Sequence, residues 1–254
     1  MLLFLESIPY IVIFIFGISI GSFLNVCIYR IPLHESIITA PSHCMTCGRK
    51  LRWYDMVPVF SWLVLGGKCR NCKSEISVQY PIIEALNGVL YLVVCTINGL
   101  TWASLIYCLM VSALLTLSVI DWRTYEIPFE INAFLLCLGI AVTVLDRNNL
   151  ISHVIGAVCV SGFLELLFLV SGGRAIGGGD VKLMAVCGLI LGWKQILLAF
   201  LLGCILGSVI HVIRMKVSHA EHVLAMGPYL SAGVFLAALW GNTWINWYLS
   251  LLGI

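Results

Sequence analysis

Apolar residues run along this chain in blocks too long and continuous for a soluble core. They fall at about 8–29, 81–98, 102–120, 129–145 and 150–171, then in a short block from about 180, then at 194–213 and 223–240. A helix needs roughly 20 apolar residues to cross a bilayer, and most of the blocks come close to that length. The pattern predicts an all-α polytopic membrane protein with about eight transmembrane helices. One polar stretch breaks it. The chain therefore divides into a first transmembrane helix at 1–29, a cysteine-bearing polar segment at 30–80 and a helical membrane core at 81–254. The tail from Gly241 is apolar but short, and it is expected to lie at the interface with Trp244, Trp247 and Tyr248 at headgroup level.

Composition supports the bilayer as solvent. Hydrophobic residues make up 61% of the chain and charged residues 10%, against roughly 25% charged in soluble domains; the mean hydropathy is +1.05. A net charge of +2 is too small to imply nucleic acid as a partner. The first ten residues carry Glu6 and no Lys or Arg, unlike a cleavable signal peptide. With the amino terminus outside, twelve of the fourteen Lys and Arg fall on the cytosolic side, leaving Arg147 and Lys194 outside. That asymmetry predicts a multi-pass protein whose polar 30–80 segment is cytosolic.

Three features carry chemistry. Cys44-x2-Cys47 and Cys69-x2-Cys72, 21 residues apart, have the spacing of the two knuckles of a tetrahedral four-cysteine zinc site. Two disulfides are the alternative, disfavoured in a cytosolic segment. A zinc with four protein ligands is structural, and a small loop domain needs such a staple. The remaining cysteines lie in apolar spans and read as small buried hydrophobes.

The other two features are Asp121, in Ser118-Val119-Ile120-Asp121-Trp122-Arg123, and Asp180, in Gly177-Gly178-Gly179-Asp180-Val181-Lys182. Each sits where an apolar span meets a loop, and the span count puts both on one side at similar depth. Ionisable groups at membrane depth are costly and usually functional. Two carboxylates sharing a proton can serve as base and acid. Taken singly, Asp180 can also cap a helix and Asp121 can be a solvated end-of-span charge. The glycines permit close backbone approach by an extended substrate strand.

Taken together, these motifs resemble the type IV prepilin peptidases, leader peptidases of the GxGD aspartic membrane family. Gly21-Ser22-Phe23-Leu24-Asn25-Val26 with Tyr29-Arg30-Ile31-Pro32 resembles the exit of the family's first span. Leu51-Arg52-Trp53-Tyr54-Asp55 and Tyr80-Pro81-x2-Glu84 resemble its cytosolic domain, and Asp121 with Ile127-Pro128, and Gly178 to Lys182, its two catalytic motifs. Gly227-Pro228-Tyr229-Leu230 resembles its last-span motif. The resemblance implies cleavage of a short basic leader from type IV pilin-like or pseudopilin precursors at the cytosolic face of the bacterial inner membrane. It also implies N-methylation of the new amino terminus with S-adenosylmethionine as cofactor. Catalytic Asp121 and Asp180, zinc on Cys44, Cys47, Cys69 and Cys72, and substrate contacts from Gly177, Gly178, Gly179, Lys182 and Glu84 follow as expectations, with Glu84 or Asp55 orienting the amine.

Several polar residues remain. Asn25, Asn87, His153 and Glu165 fall within predicted spans, and His153 and Glu165 are expected to make internal hydrogen bonds. His219 and His222 read as a solvated loop rather than a metal site. Gly17-x3-Gly21 and Gly203-x3-Gly207 are expected to let helices pack closely. A transporter would call for broken-helix repeats, which the pattern lacks. A zinc-binding adaptor would not need eight spans. Loss of proteolysis on replacing either Asp separates the three readings.

Overall fold

The computed structural model describes residues 2–218 and 224–253. His219, His222 and the expected start of the last span at Val223 lie outside the described residues. Among the described residues there is no β-strand. The α-helices are α1 (Leu2–Arg30), α2 (Phe60–Val64), α3 (Gln79–Asn98), α4 (Trp102–Thr124), α5 (Phe129–Leu145), α6 (Leu150–Ser171), α7 (Gly178–Leu191), α8 (Trp193–Ser218) and α9 (Gly227–Leu251). Apart from the five-residue α2 they follow the eight predicted spans in order. By length and composition alone, five are long and apolar enough to cross a membrane: 7–33, 79–98, 102–124, 147–171 and 193–217. Helix α5 is apolar but shorter, and α9 is long but carries Gly, Asn and Trp among its apolar residues.

Two ends differ from expectation. Asp121 does not close its helix: α4 continues to Thr124, and Tyr125, at φ 56°, makes the turn out of it. Its N–H donates to the Asp121 carbonyl oxygen at 2.9 Å. The tail from Gly241 is not separate from the last span, because α9 runs on unbroken to Leu251. Large apolar side chains on α6 such as Ile151, Leu169 and Val170 are exposed, which suits a helix that meets lipid rather than water.

The chain forms two compact units, one up to Ser112 and one from Ala113 onward, with the boundary inside α4. In the first unit α1 packs on α3. A Cβ on Gly17 would lie 2.8 Å from the Gly88 Cα, and one on Gly21 2.7 Å from the Glu84 Cα, so this small-residue stripe brings the two backbones together as expected. Asn87 ties the pair by donating to the Gly17 carbonyl at 2.7 Å and accepting from Ser112 at 3.0 Å. Asn25 donates to the Tyr80 carbonyl at 3.2 Å.

In the second unit α7 lies against α5 and α6, and α8 against α6 and α9. Gly203 fits the expected close approach: a Cβ there would meet α9 at 3.0 Å, whereas one at Gly207 would make only ordinary contacts. His153 is buried with its Nε2 3.6 Å from Asp146 Oδ2, too long for a hydrogen bond. Glu165 is exposed on α6. Neither makes the expected internal bond, because Glu165 turns away from the packed face.

Candidate active site

The exit of α4 and the entry of α7 meet at one cavity. It has a volume of about 310 Å³ and is lined by Asp121, Asp180, the three glycines before Asp180, and residues of the 125–132 segment, among others. Asp121 and Asp180 are close enough to interact electrostatically. Asp121 is only 4% exposed, and its Oδ2 accepts the Gly227 N–H at 2.8 Å. Helix α9, whose first residue is Gly227, therefore holds a carboxylate carried by α4.

Asp180 is the third residue of α7. The residue capping that helix is Gly177, and the Asp180 carboxylate reaches back to the Gly177 backbone, so Asp180 caps the helix start as well as lining the cavity. The glycines differ in what they permit. A Cβ on Gly179 would stand 2.9 Å from the Ile127 Cβ, whereas one on Gly178 would meet nothing nearer than 3.7 Å. Gly179 thus lets the start of α7 close onto the Ile127-Pro128 segment. Lys182 also lines the cavity and is exposed.

Four cavity residues carry no role that the sequence pattern predicts: Tyr125, Glu126, Phe129 and Asn132. Asn132 has a signal, a buried carboxamide within the apolar α5. Tyr125 has none, since its left-handed backbone is rare for a bulky residue.

The four-cysteine cluster forms as the spacing predicts. One ligand atom from each of Cys44, Cys47, Cys69 and Cys72 lies within 4.8 Å of the others. Cys44 and Cys72 Sγ are 3.8 Å apart, close to the edge of roughly 3.8 Å for a tetrahedron with Zn–S bonds of about 2.3 Å. The thiols are not bonded as disulfides. The two knuckles repeat one backbone design. Cys44 N–H bonds Arg49 O as Cys69 N–H bonds Ser74 O, and Gly48 N–H bonds Cys44 O as Lys73 N–H bonds Cys69 O. Gly48 and Lys73 share a left-handed backbone, φ 67° and 61°. Hydrogen bonds from the Cys47 and Thr46 backbones pull the Cys44 thiol down to about 6, which favours the thiolate a metal needs. The donor set fits one zinc held by all four sulfurs.

Glu84 and Asp55 are both engaged. Glu84 Oε2 accepts the Val59 N–H at 2.6 Å, and Asp55 pairs with Arg70 at 2.8 Å. They pin the cysteine-bearing segment.

Fold and cavity together define a helical membrane protein with two carboxylates at one cavity, Asp121 buried and Asp180 half-buried, and a four-cysteine cluster fit for a metal. The chain belongs to the type IV leader peptidase family. Residues 108–212 match the model described as the type IV leader peptidase family, and 15–97 match the bacterial peptidase A24 N-terminal domain. Relatives named prepilin leader peptidase/N-methyltransferase include one from Pseudomonas putida, 33% identical with 94% of this chain and 93% of the relative covered. Another, from Bacillus subtilis, is 31% identical with 94% and 98% covered. A third, from Aeromonas salmonicida, is 30% identical with 94% and 93% covered. No solved structure matches the chain.

Proposed function

We propose that this chain is an aspartic endopeptidase that removes the leader from type IV pilin-like or pseudopilin precursors and then methylates the amino terminus it exposes. The observation that carries the peptidase reading is the shared cavity: Asp121 and Asp180 line it together, beside the Gly177 to Gly179 entry of α7. One carboxylate takes a proton from water as the oxygen attacks the scissile carbonyl carbon. The other, protonated, gives its proton to the carbonyl oxygen. Collapse of the tetrahedral intermediate breaks the C–N bond, and the leaving amine takes a proton from the pair. The glycines leave room for an extended backbone, and Lys182 stands at the rim as a candidate substrate contact.

The charge asymmetry supports a bacterial inner membrane location, with the amino terminus outside and the zinc segment and cleavage site at the cytosolic face. Methylation is supported by the relatives' names, with S-adenosylmethionine as the donor. Glu84 and Asp55 are the candidates for orienting the new amine.

The test is cleavage of a purified prepilin by Asp121→Asn and Asp180→Asn, with the product read by mass spectrometry in the presence of S-adenosylmethionine. Each variant should fold and lose cleavage, since half a pair cannot act as both acid and base. Near-normal turnover by either would refute the assignment. Wild-type product should carry one added methyl at its amino terminus; an unmethylated product would remove the second activity alone.

A further inference from the structure

A residue that lines the cavity carries an acceptor with no partner. Asn132, the fourth residue of α5, is 5% exposed and lines the cavity with Asp121, Asp180 and the three glycines. Its Oδ1 is buried and has no hydrogen-bond partner. Its backbone N–H is already spent on the Pro128 carbonyl at 3.4 Å, and its immediate helix neighbours on the packed face, Ile131 and Leu135, are buried and apolar. A buried acceptor left unpaired opposes folding, and a Leu of similar volume would fill the same place. Neighbouring side chains offer little relief. Asp121, Asp180 and Glu126 are acceptors when ionised, and the two donors Tyr125 and Lys182 are exposed and make no bond to Asn132 Oδ1. No side chain of the cavity bonds Oδ1 in this structure, and a turn of the carboxamide would bring it to an N–H of whatever enters.

We infer that Asn132 is a substrate-binding residue whose side-chain oxygen takes a backbone N–H of the precursor, next to the bond that Asp121 and Asp180 act on. An extended peptide brought to membrane depth leaves behind the water that bonded its N–H groups, and each needs a protein acceptor in return. The catalytic pair is occupied with water and the scissile carbonyl. The glycine entry of α7 presents backbone without side chains. Asn132 supplies the remaining acceptor, and because it reads main chain rather than side chain it suits precursors of differing sequence. The inference rests on the peptidase reading proposed above.

The experiment uses the full-length enzyme and precursors in which one backbone N–H at a time, on either side of an intact scissile amide, is replaced by an ester oxygen. Against the wild type, one such ester should lower kcat/KM by roughly ten- to a hundredfold, the scale of a lost buried hydrogen bond. Asn132→Leu should show a similar loss with the all-amide precursor and no further loss with that ester, while esters elsewhere keep their wild-type penalties. A merely structural role would leave every ester penalty unchanged. That result overturns the inference, as would wild-type kcat/KM from folded Asn132→Leu. If Asn132→Leu does not fold, Asn132→Ser in the same series should shrink the penalty at that one position, and an undiminished penalty overturns the inference. Asp121→Asn and Asp180→Asn are assayed alongside. If they cleave, the peptidase reading has failed; if they are inert while Asn132 shows no coupling, only the present inference falls.

Discussion

Gly227 and Asp121, 106 residues apart, are joined by one short contact. The Gly227 N–H donates to Asp121 Oδ2 at 2.8 Å, and a Cβ built on Gly227 would stand 2.6 Å from the same oxygen. No other residue type allows the amide to come so near while leaving the carboxylate in place. Gly227→Ala should therefore displace Asp121 and lower cleavage at least tenfold, in line with about 1.5–3 kcal/mol for a hydrogen bond to a charged group. Its zinc content and thermal unfolding should remain close to wild type. Unimpaired cleavage would show that Asp121 does not need this anchor.

The three glycines before Asp180 should rank in order. Gly179→Ala meets the Ile127 Cβ at 2.9 Å, Gly177→Ala meets Asp180 Oδ2 at 3.3 Å, and Gly178→Ala meets nothing within 3.7 Å. Cleavage should fall most for Gly179→Ala, less for Gly177→Ala and least for Gly178→Ala. Equal losses at all three would point to backbone flexibility, not packing, as the reason for the run.

Zinc should be present at about one per chain by elemental analysis, held by four thiolates. The Cys44 thiol lies below its ordinary value, at about 6, even without metal, which favours the thiolate. Zinc and protons compete for the same four sulfurs, so zinc should be retained at pH 7 and released progressively on acidification. Cys72→Ser should make the cysteine segment protease-sensitive while the membrane helices keep their circular dichroism signal. If zinc-free enzyme fails to cleave while both Asp variants succeed, the metal is the catalyst.

Glu84 separates two roles by a simple pair of variants. Val59 sits at φ 62°, ψ −52° with its N–H on Glu84 Oε2 at 2.6 Å, an uncommon backbone for a β-branched residue. Glu84→Gln keeps an acceptor and should preserve both activities. Glu84→Ala frees the loop and should speed hydrogen exchange at Val59 and its neighbours. Equal damage from Gln and Ala would mean that the charge itself is used.

Much of this architecture is legible in the order of residues. The helices at 129–145 and 150–171 fall where the apolar blocks do, because a bilayer imposes a length on each block. The four-cysteine cluster follows from local spacing. Counting spans brings Asp121 and Asp180 together, since an even number of crossings returns the chain to one side. What the order of residues does not reveal depends on geometry between distant segments. Nothing in the string Gly227-Pro228-Tyr229 says that its first amide faces a carboxylate 106 positions earlier. Nothing around Asn132 says that its oxygen lacks a donor. The end of α4 is hard to place because Asp121, Trp122 and Arg123 look like a loop, although the backbone stays helical for one more turn.

Helix α7 has only 14 residues, about 21 Å at 1.5 Å per residue, against a hydrocarbon core of roughly 30 Å. A rod that is a third too short, set across a bilayer with its far end at the opposite surface, would leave its first turn, and Asp180 with it, beneath the lipid surface. Water would then come down to the carboxylates through the mouth of the cavity, a well whose depth is set by the lipid, and hydrophobic mismatch would become a control on turnover. The same enzyme reconstituted in bilayers of increasing acyl-chain length should slow as the well deepens, with no residue changed.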